Sequence, residues 1–396
     1  MQRFRENALI WSVIIILFGF SLWFFIQNRS NSEPTILPTP TFEPVVPTQT
    51  PVSQAAQDAH AATQALSPTK TAVPTATPTK STENNASATA VPLDLNRYNV
   101  TGSIKYANAA HALGLPFSAV LDWSVRPEPK TNGFDFWQMV RLDENGIRET
   151  TWDEIEETIT LNPGSVWLIG NEPDVVWQDN VTPKKYAQHY HNLYTFIKER
   201  DPSAQIAIGG ISQSTPLRRA YLDIVLDTYM ADYGEPMPVD IWNIHAFTLR
   251  EEADSWGIGI PPGMDVTMGE LYEIEDHTDI NILRQNLIDF RMWMAERGYA
   301  DHPLVITEYG VLMPVDYGFP SEVVTEFMLQ SFDLFENLRG EYGYAADENR
   351  LIQSWFWFIL YVDQYEYQAG NLYDHENGQL TPVGEVWAAY LNGRSK

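Results

Sequence analysis

Beyond Asn96 the sequence alternates eight short apolar runs with amphipathic helical stretches, and no other feature restricts the fold as much. The runs are Tyr98–Thr101, Phe117–Asp122, Phe136–Leu142, Val166–Gly170, Ile206–Gly209, Asp240–His245, Leu304–Glu308 and Ile352–Phe358. Helices are expected at Ile104–Leu113, Trp152–Thr160, Pro183–Arg200, Pro216–Tyr229, Ile280–Glu296, Glu322–Asn337 and Val383–Leu391. Thr182 should cap the third of these, with Pro183 at its first position, and Asp201-Pro202 should close it. Strands joined through helices pair in parallel, and eight of them in about 300 residues is the count of an α/β (β/α)8 TIM barrel. Two places are expected to depart from regularity. The first run has only four residues, and Ser124–Asp135 is Pro-rich and short for a helical crossover, so the barrel should be irregular near strands two and three. An open doubly wound sheet fits less well, because no Gly-rich turn follows the first strand.

The residues before Asn96 carry a different pattern. Residues 8–26, ALIWSVIIILFGFSLWFFI, run for nineteen residues without a charge, long enough to span a bilayer core of about 30 Å. The run is longer than a signal-peptide core and ends on bulky Trp23, Phe24 and Phe25 without a small-residue cleavage pattern. It reads as a transmembrane anchor. Arg3 and Arg5 place a short cytoplasmic segment, residues 1–7, on the inner side. Residues 27–95 read as a Pro/Thr-rich disordered linker, a semi-rigid stalk with Phe42 as its sole aromatic residue. Residues 96–396 would then form an extracellular domain on a single-pass membrane protein.

Charge locates the acidity in that domain. The whole chain has 25 basic and 52 acidic residues, net −27, and residues 96–396 alone carry net −26. Such a surface is unsuited to nucleic acid, which is bound by clustered Lys and Arg. With no Cys in the sequence, disulfides, thiolate metal sites and Cys nucleophiles are excluded. His189 and His191 lie two apart on a helix and face different ways. There is no H-E-x-x-H, G-x-S-x-G or P-loop, and Gly209-Gly210-Ile211-Ser212 lacks the glycine of a nucleophile elbow. No metal or cofactor is therefore expected.

Two glutamates stand where barrel chemistry is placed, at the C-terminal ends of strands. Strand four runs out through Ile169-Gly170-Asn171-Glu172-Pro173-Asp174, and strand seven through Ile306-Thr307-Glu308-Tyr309-Gly310. A carboxylate at the end of a buried apolar strand is costly unless it is paired or used. Either glutamate alone could be half of a structural ion pair; two facing each other are the machinery of glycoside hydrolysis. Trp123, Trp177, Phe247, Trp256, Tyr309, Trp357 and Tyr361 fall at strand ends or in the loops beyond, as stacking on sugar faces requires. Residues 246–279 form an unusually long loop. Its acids, Glu251, Glu252, Asp254, Glu270, Glu273, Glu275 and Asp276, are expected on a solvated face, with no calcium-loop spacing among them.

The two glutamate motifs resemble those of the clan A glycoside hydrolases. Trp242-Asn243-Ile244-His245, Trp355 and Trp357, and the approach to the last helix through Tyr373-Asp374-His375 are similar to that clan's active-site ring. Val120-Leu121-Asp122-Trp123 together with Asn171-Glu172-Pro173-Asp174 is similar to a subgroup that includes fungal-type endo-β-1,3-glucanases. The resemblance implies a retaining glycosidase with Glu172 as acid/base and Glu308 as nucleophile. It further implies that Asn171 binds a sugar hydroxyl and that Arg141 holds Glu308 ionised. His245 would bind a sugar hydroxyl or orient a Glu, and Asp122, Trp123, Tyr309 and Trp357, at strand ends, would complete substrate binding. The expected partner is a polysaccharide or oligosaccharide and the expected state a monomer. A catalytically silent glycan- or wall-binding protein on the same fold is the alternative, and transglycosylation would use the same residues.

Overall fold

A computed structural model of the protein describes residues 95–394. The expected anchor, residues 8–26, and all of the linker but its last residue lie outside the described residues. Among the described residues, no helix is long and apolar enough to cross a membrane.

The eight barrel strands are β1 (Tyr98–Thr101), β2 (Ala119–Leu121), β3 in two pieces (Asp135–Phe136 and Gln138–Val140), β4 (Val166–Asn171), β5 (Gln205–Gly210), β6 (Trp242–His245), β7 (Leu304–Gly310) and β8 (Ser354–Phe358). The helices are α1 (Ile104–Ala112), α2 (Trp152–Leu161), α3 (Pro183–Arg200), α4 (Pro216–Tyr233), α5 (Ile280–Glu296), α6 (Ser321–Asn337) and α7 (Pro382–Arg394). Every barrel pairing is parallel. The first piece of β3 pairs with β2, and β2, β1, β8, β7 and β6 continue that sheet. The second piece of β3 pairs with β4, which pairs with β5. Isolated bridges Ala207–Ile241 and Ile211–Ile244 join β5 to β6 and complete the ring.

The irregular unit lies where the sequence predicts it. No helix separates β2 from β3; instead Arg126 N donates to Gln138 Oε1 at 2.7 Å, and Gln138 Nε2 returns a bond to the Arg126 carbonyl at 3.0 Å. That reciprocal pair satisfies backbone groups that a helix would otherwise occupy. Thr182 is the N-cap of α3 with Pro183 after it, as expected, but its hydroxyl donates to Glu144 Oε1 at 2.8 Å and makes no side-chain cap bond.

Two apolar layers follow from strand alternation. Inside the barrel sit Leu121, Met139, Leu168, Ala207, Val305 and Phe356, with Trp123 and Trp137 packed against them. The opposite strand faces, including Trp167, Ile169, Trp242, Ile306, Trp355 and Trp357, join the helices in the larger core. Both faces of each strand are buried, as parallel barrels require.

Candidate active site

Each glutamate reaches the top of the barrel by a backbone irregularity. Glu172 has φ +45°, in the left-handed region, immediately after β4. A non-glycine residue holds that conformation only where its surroundings impose it. In β7 the register against both neighbours shifts between Ile306 and Glu308 or Tyr309. Irregularities of this kind re-aim side chains. Here the shift leaves Glu308 in the cleft and turns Tyr309 into the helix-facing core against Phe335 and Trp357.

The glutamates meet over His245 at the end of β6. One oxygen of each carboxylate and a ring nitrogen of His245 all lie within 4.8 Å of one another. His245 Nδ1 is 2.9 Å from Glu172 Oε1, and Nε2 is 3.7 Å from Glu308 Oε1. The ring has room because residue 210 is glycine: a Cβ there would stand 2.5 Å from His245 Cδ2. Trp123, itself at φ +60°, donates Nε1–H to Glu308 Oε1 at 2.6 Å. Both carboxylates are buried, at 8% and 6% exposure.

Electrostatics move His245 and Glu308 away from their ordinary protonation. Burial pushes Glu308 up to about 7; His245 opposes this, Glu172 reinforces it, and the Trp123 hydrogen bond and Arg141 oppose it. Burial disfavours the His245 cation, but Glu308 and Glu172 outweigh it and the pKa is raised. His245 and Glu308 each bias the other's charge and titrate as a coupled pair. The same three donors are close enough to ligate a cation. However, the Nδ1–Oε1 and Nε1–Oε1 hydrogen bonds already engage one oxygen of each carboxylate, and Nδ1 as well.

A cavity of about 590 Å³ opens over the trio. Glu172, Glu308, Asn171, Arg141 and Trp123 all line it. Asn171 Oδ1 is buried without a hydrogen-bond partner and so remains free to accept one. Arg141 makes its direct contacts with Asp179, at 2.6 Å, and Gln178, at 3.1 Å, and reaches Glu308 only through space.

Four residues expected at the substrate do not line the cavity, the first being His245, which is fully buried against the two carboxylates. Asp122 faces away from the cavity, one residue before Trp123, and binds Ser124 and Arg126. Tyr309 is turned outward by the register shift, and Trp357 lies on the helix-facing side of β8, where its Nε1 donates to the Gly370 carbonyl at 2.8 Å. Phe358, next in β8, lines the cleft instead. Of the loop aromatics, Trp177, Phe247 and Trp256 line it and Tyr361 does not. Gln178, Tyr317, Tyr365 and Tyr367 were not foreseen. They follow loops whose heights single-sequence periodicity does not set, although Gln178 stands only six residues beyond Glu172. In the long loop, Trp256 and Ile258 form part of the wall. Glu251 is fully buried there, which corrects its expected place on a solvated face.

No protein-family model and no curated protein matches the sequence. Solved structures do match the fold. A GH128 (subgroup III) curdlan-specific exo-β-1,3-glucanase from Blastomyces gilchristii, in complex with glucose, aligns at a TM-score of 0.50 and 16% identity. The alignment covers 74% of this chain and 99% of that one. GH128 endo-β-1,3-glucanases from Pseudomonas viridiflava (subgroup II) and Amycolatopsis mediterranei (subgroup I, with laminaritriose) align at 0.49, with 17% and 16% identity. Each alignment covers 74% of this chain, and 97% and 99% of theirs respectively. The described domain therefore has the barrel fold of the Blastomyces gilchristii enzyme.

Proposed function

We propose that the domain is a retaining glycosidase that hydrolyses a polysaccharide or oligosaccharide, with β-1,3-glucan as the substrate class. The observation that carries this reading is the pair of buried carboxylates from the ends of β4 and β7, within 4.8 Å of each other through one oxygen each, under a cavity walled by aromatic side chains. That separation suits a retaining displacement, for which about 5–5.5 Å is typical, and falls short of the roughly 6.5–9.5 Å at which an inverting enzyme holds its carboxyls. The resemblance of both strand-end motifs and the fold shared with a curdlan-specific glucanase support the choice of substrate.

In the reaction, Glu172 protonates the leaving oxygen while Glu308 attacks the anomeric carbon. Glu172 then removes a proton from the water that releases the sugar. Glu308 must be ionised to attack. The Trp123 N–H and the His245 ring stabilise that form, while burial works against it. His245 bridges the two, with Nδ1 2.9 Å from Glu172 Oε1 and Nε2 3.7 Å from Glu308 Oε1. Asn171 Oδ1 accepts a hydrogen bond from a sugar hydroxyl.

The raised pKa of Glu308 favours a second assignment in which the two roles are exchanged. Azide rescue separates them. Under the first assignment, Glu308→Gln or Glu308→Ala with azide gives a glycosyl azide of inverted configuration, and the matching Glu172 variants give a retained one. The opposite pairing would establish the exchange, and no hydrolysis of any β-glucan by the wild type would support the silent glycan-binding protein.

For location, we infer that residues 8–26 anchor the chain and that 27–95 hold the domain outside the cell. The support is the uncharged stretch with Arg3 and Arg5 before it. Protease added to intact cells should release the barrel; protection of the barrel would reverse the orientation.

A further inference from the structure

Beneath the cleft lies a group of charges that the chemistry above does not use. Arg218, in the first turn of α4, is fully buried, as are the side chains of Asp174 and Glu251. Its Nη1 binds Asp174 Oδ2 at 3.0 Å and also donates to the Asp174 carbonyl. Its Nε binds Glu251 Oε1 at 3.0 Å, and its Nη2 donates to the Gly259 carbonyl at 2.6 Å. Ser212, just beyond β5, donates its hydroxyl to Asp174 Oδ2 at 2.9 Å. Thr215 and the Glu270 N–H satisfy the Glu251 oxygens at 2.6 and 2.9 Å.

A dry ion triad of this kind adds little stability over apolar packing, and its best-attested use is to specify a geometry. The geometry nearest to it is the turn that carries Glu172. Glu172 holds its left-handed backbone through two local bonds, its N–H to the Gly210 carbonyl at 2.9 Å and its carbonyl from the Val175 N–H at 3.0 Å. Between those two residues, Asp174 is gripped at both its carboxylate and its carbonyl. We propose that Arg218, through Asp174, is a positioning residue for Glu172. It fixes the turn 172–175 so that the carboxyl points at the glycosidic oxygen, and Glu251 balances its charge. Ser212 is the second hand on Asp174. The same guanidinium holds Gly259, next to the cleft-lining Ile258, so one side chain sets both the acid and part of the wall.

This inference rests on the glycosidase reading and on Glu172 as the acid, and leaving-group dependence tests it. Cleavage of laminaritriose expels a sugar alkoxide that must be protonated; cleavage of a 2,4-dinitrophenyl β-laminaribioside expels dinitrophenolate, which needs no proton. Arg218→Lys keeps the buried charge but loses the forked donor geometry. Ser212→Ala keeps every charge and decides the matter if the first variant does not accumulate. For Arg218→Lys, kcat/KM on laminaritriose should fall about 30- to 300-fold, and for Ser212→Ala about 3- to 10-fold. On the dinitrophenyl glycoside both should stay within about 3-fold of wild type. An equal fall on both substrates makes the triad a purely structural feature and overturns the proposal, as does an unchanged rate on laminaritriose. A wild type that cleaves neither substrate overturns the β-1,3-glucanase reading, and this inference with it.

Discussion

The two strand ends that present the glutamates solve one problem in opposite ways. At β4 the backbone does the work: Glu172 sits in a left-handed conformation, and hydrogen bonds to backbone and to Asp174 hold the turn around it. At β7 the strand remains extended, a register shift rotates the side chain inward, and the Trp123 indole N–H then holds Glu308. A fixed backbone suits a group that must give and take a proton at one point in space. A single strong donor on an otherwise buried carboxylate suits a group that must be anionic and attack. His245 joins the two, so neither environment is independent of the other.

The largest expected effect comes from neutralising each carboxyl in turn. Glu172→Gln and Glu308→Gln should each lower kcat/KM on laminaritriose by about 1,000-fold or more. The comparison predicts that they part company on an activated aryl glycoside. There Glu172→Gln should recover to within about 10-fold of wild type, while Glu308→Gln should not recover. Recovery by the Glu308 variant alone would break the comparison by exchanging the two roles.

Trp123→Phe probes the β7 side alone. It removes a donor at 2.6 Å from Glu308 Oε1 while keeping the ring that packs near Phe358. A charge-assisted hydrogen bond of this kind is worth about 1.5–3 kcal/mol, or about 10- to 150-fold in kcat/KM. Because the loss falls on the nucleophile, it should appear equally with sugar and dinitrophenyl leaving groups. A loss confined to the sugar leaving group would show that Trp123 serves Glu172 instead.

How far these environments could be foreseen differs between them. The alternation of apolar runs revealed the barrel and the sites of both glutamates, because strand ends follow from where apolar runs stop. The helixless β2–β3 unit was visible too, as Pro127 and Pro129 with no helical period. Which face each strand turns inward was not visible. In β8 the sequence Ser354-Trp355-Phe356-Trp357-Phe358 is apolar on both faces, so nothing marks Phe356 and Phe358 as inward and the two tryptophans as outward. In β7 the register shift changes parity after Ile306, and no residue type announces it. The Arg218–Asp174–Glu251 triad joins residues about 33 to 44 positions apart in sequence, beyond the reach of any local pattern. Glu251 looked like one more surface acid for that reason.

Gly210→Ala tests whether the two sides are coupled through His245. The added methyl would lie 2.5 Å from Cδ2 and 2.7 Å from Nε2 of the ring. The ring must move, at a stability cost of about 1–3 kcal/mol. If His245 couples the glutamates, kcat/KM should fall about 10-fold for both leaving groups and the two limbs of the pH profile should draw together. A lower melting temperature with an unchanged pH profile would leave His245 as a packed side chain only.

The smallest effect is on stability, and its sign is fixed by the direction in which Glu308 is shifted. A carboxyl free in the unfolded chain ionises near about 4.3, whereas Glu308 in the fold is pushed up to about 7. The fold therefore favours the protonated form. The stability it has below the unfolded value is lost as pH rises through that window toward 7, and the loss persists above it. Glutamine cannot ionise, so Glu308→Gln escapes the loss while keeping nearly the same shape. His245 opposes the upward push on Glu308 and reduces the penalty. A net gain of about 1 kcal/mol at pH 8 is expected, or about 2 °C in melting temperature for a domain of this size. At pH 4.5 the variant and wild type should melt together. Glu172→Gln, at the strand end held by its backbone, is the control and should gain less at pH 8. Equal gains from both variants at pH 8 would mean that the penalty belongs to the pair as a whole, and that the two strand ends differ in geometry but not in electrostatics.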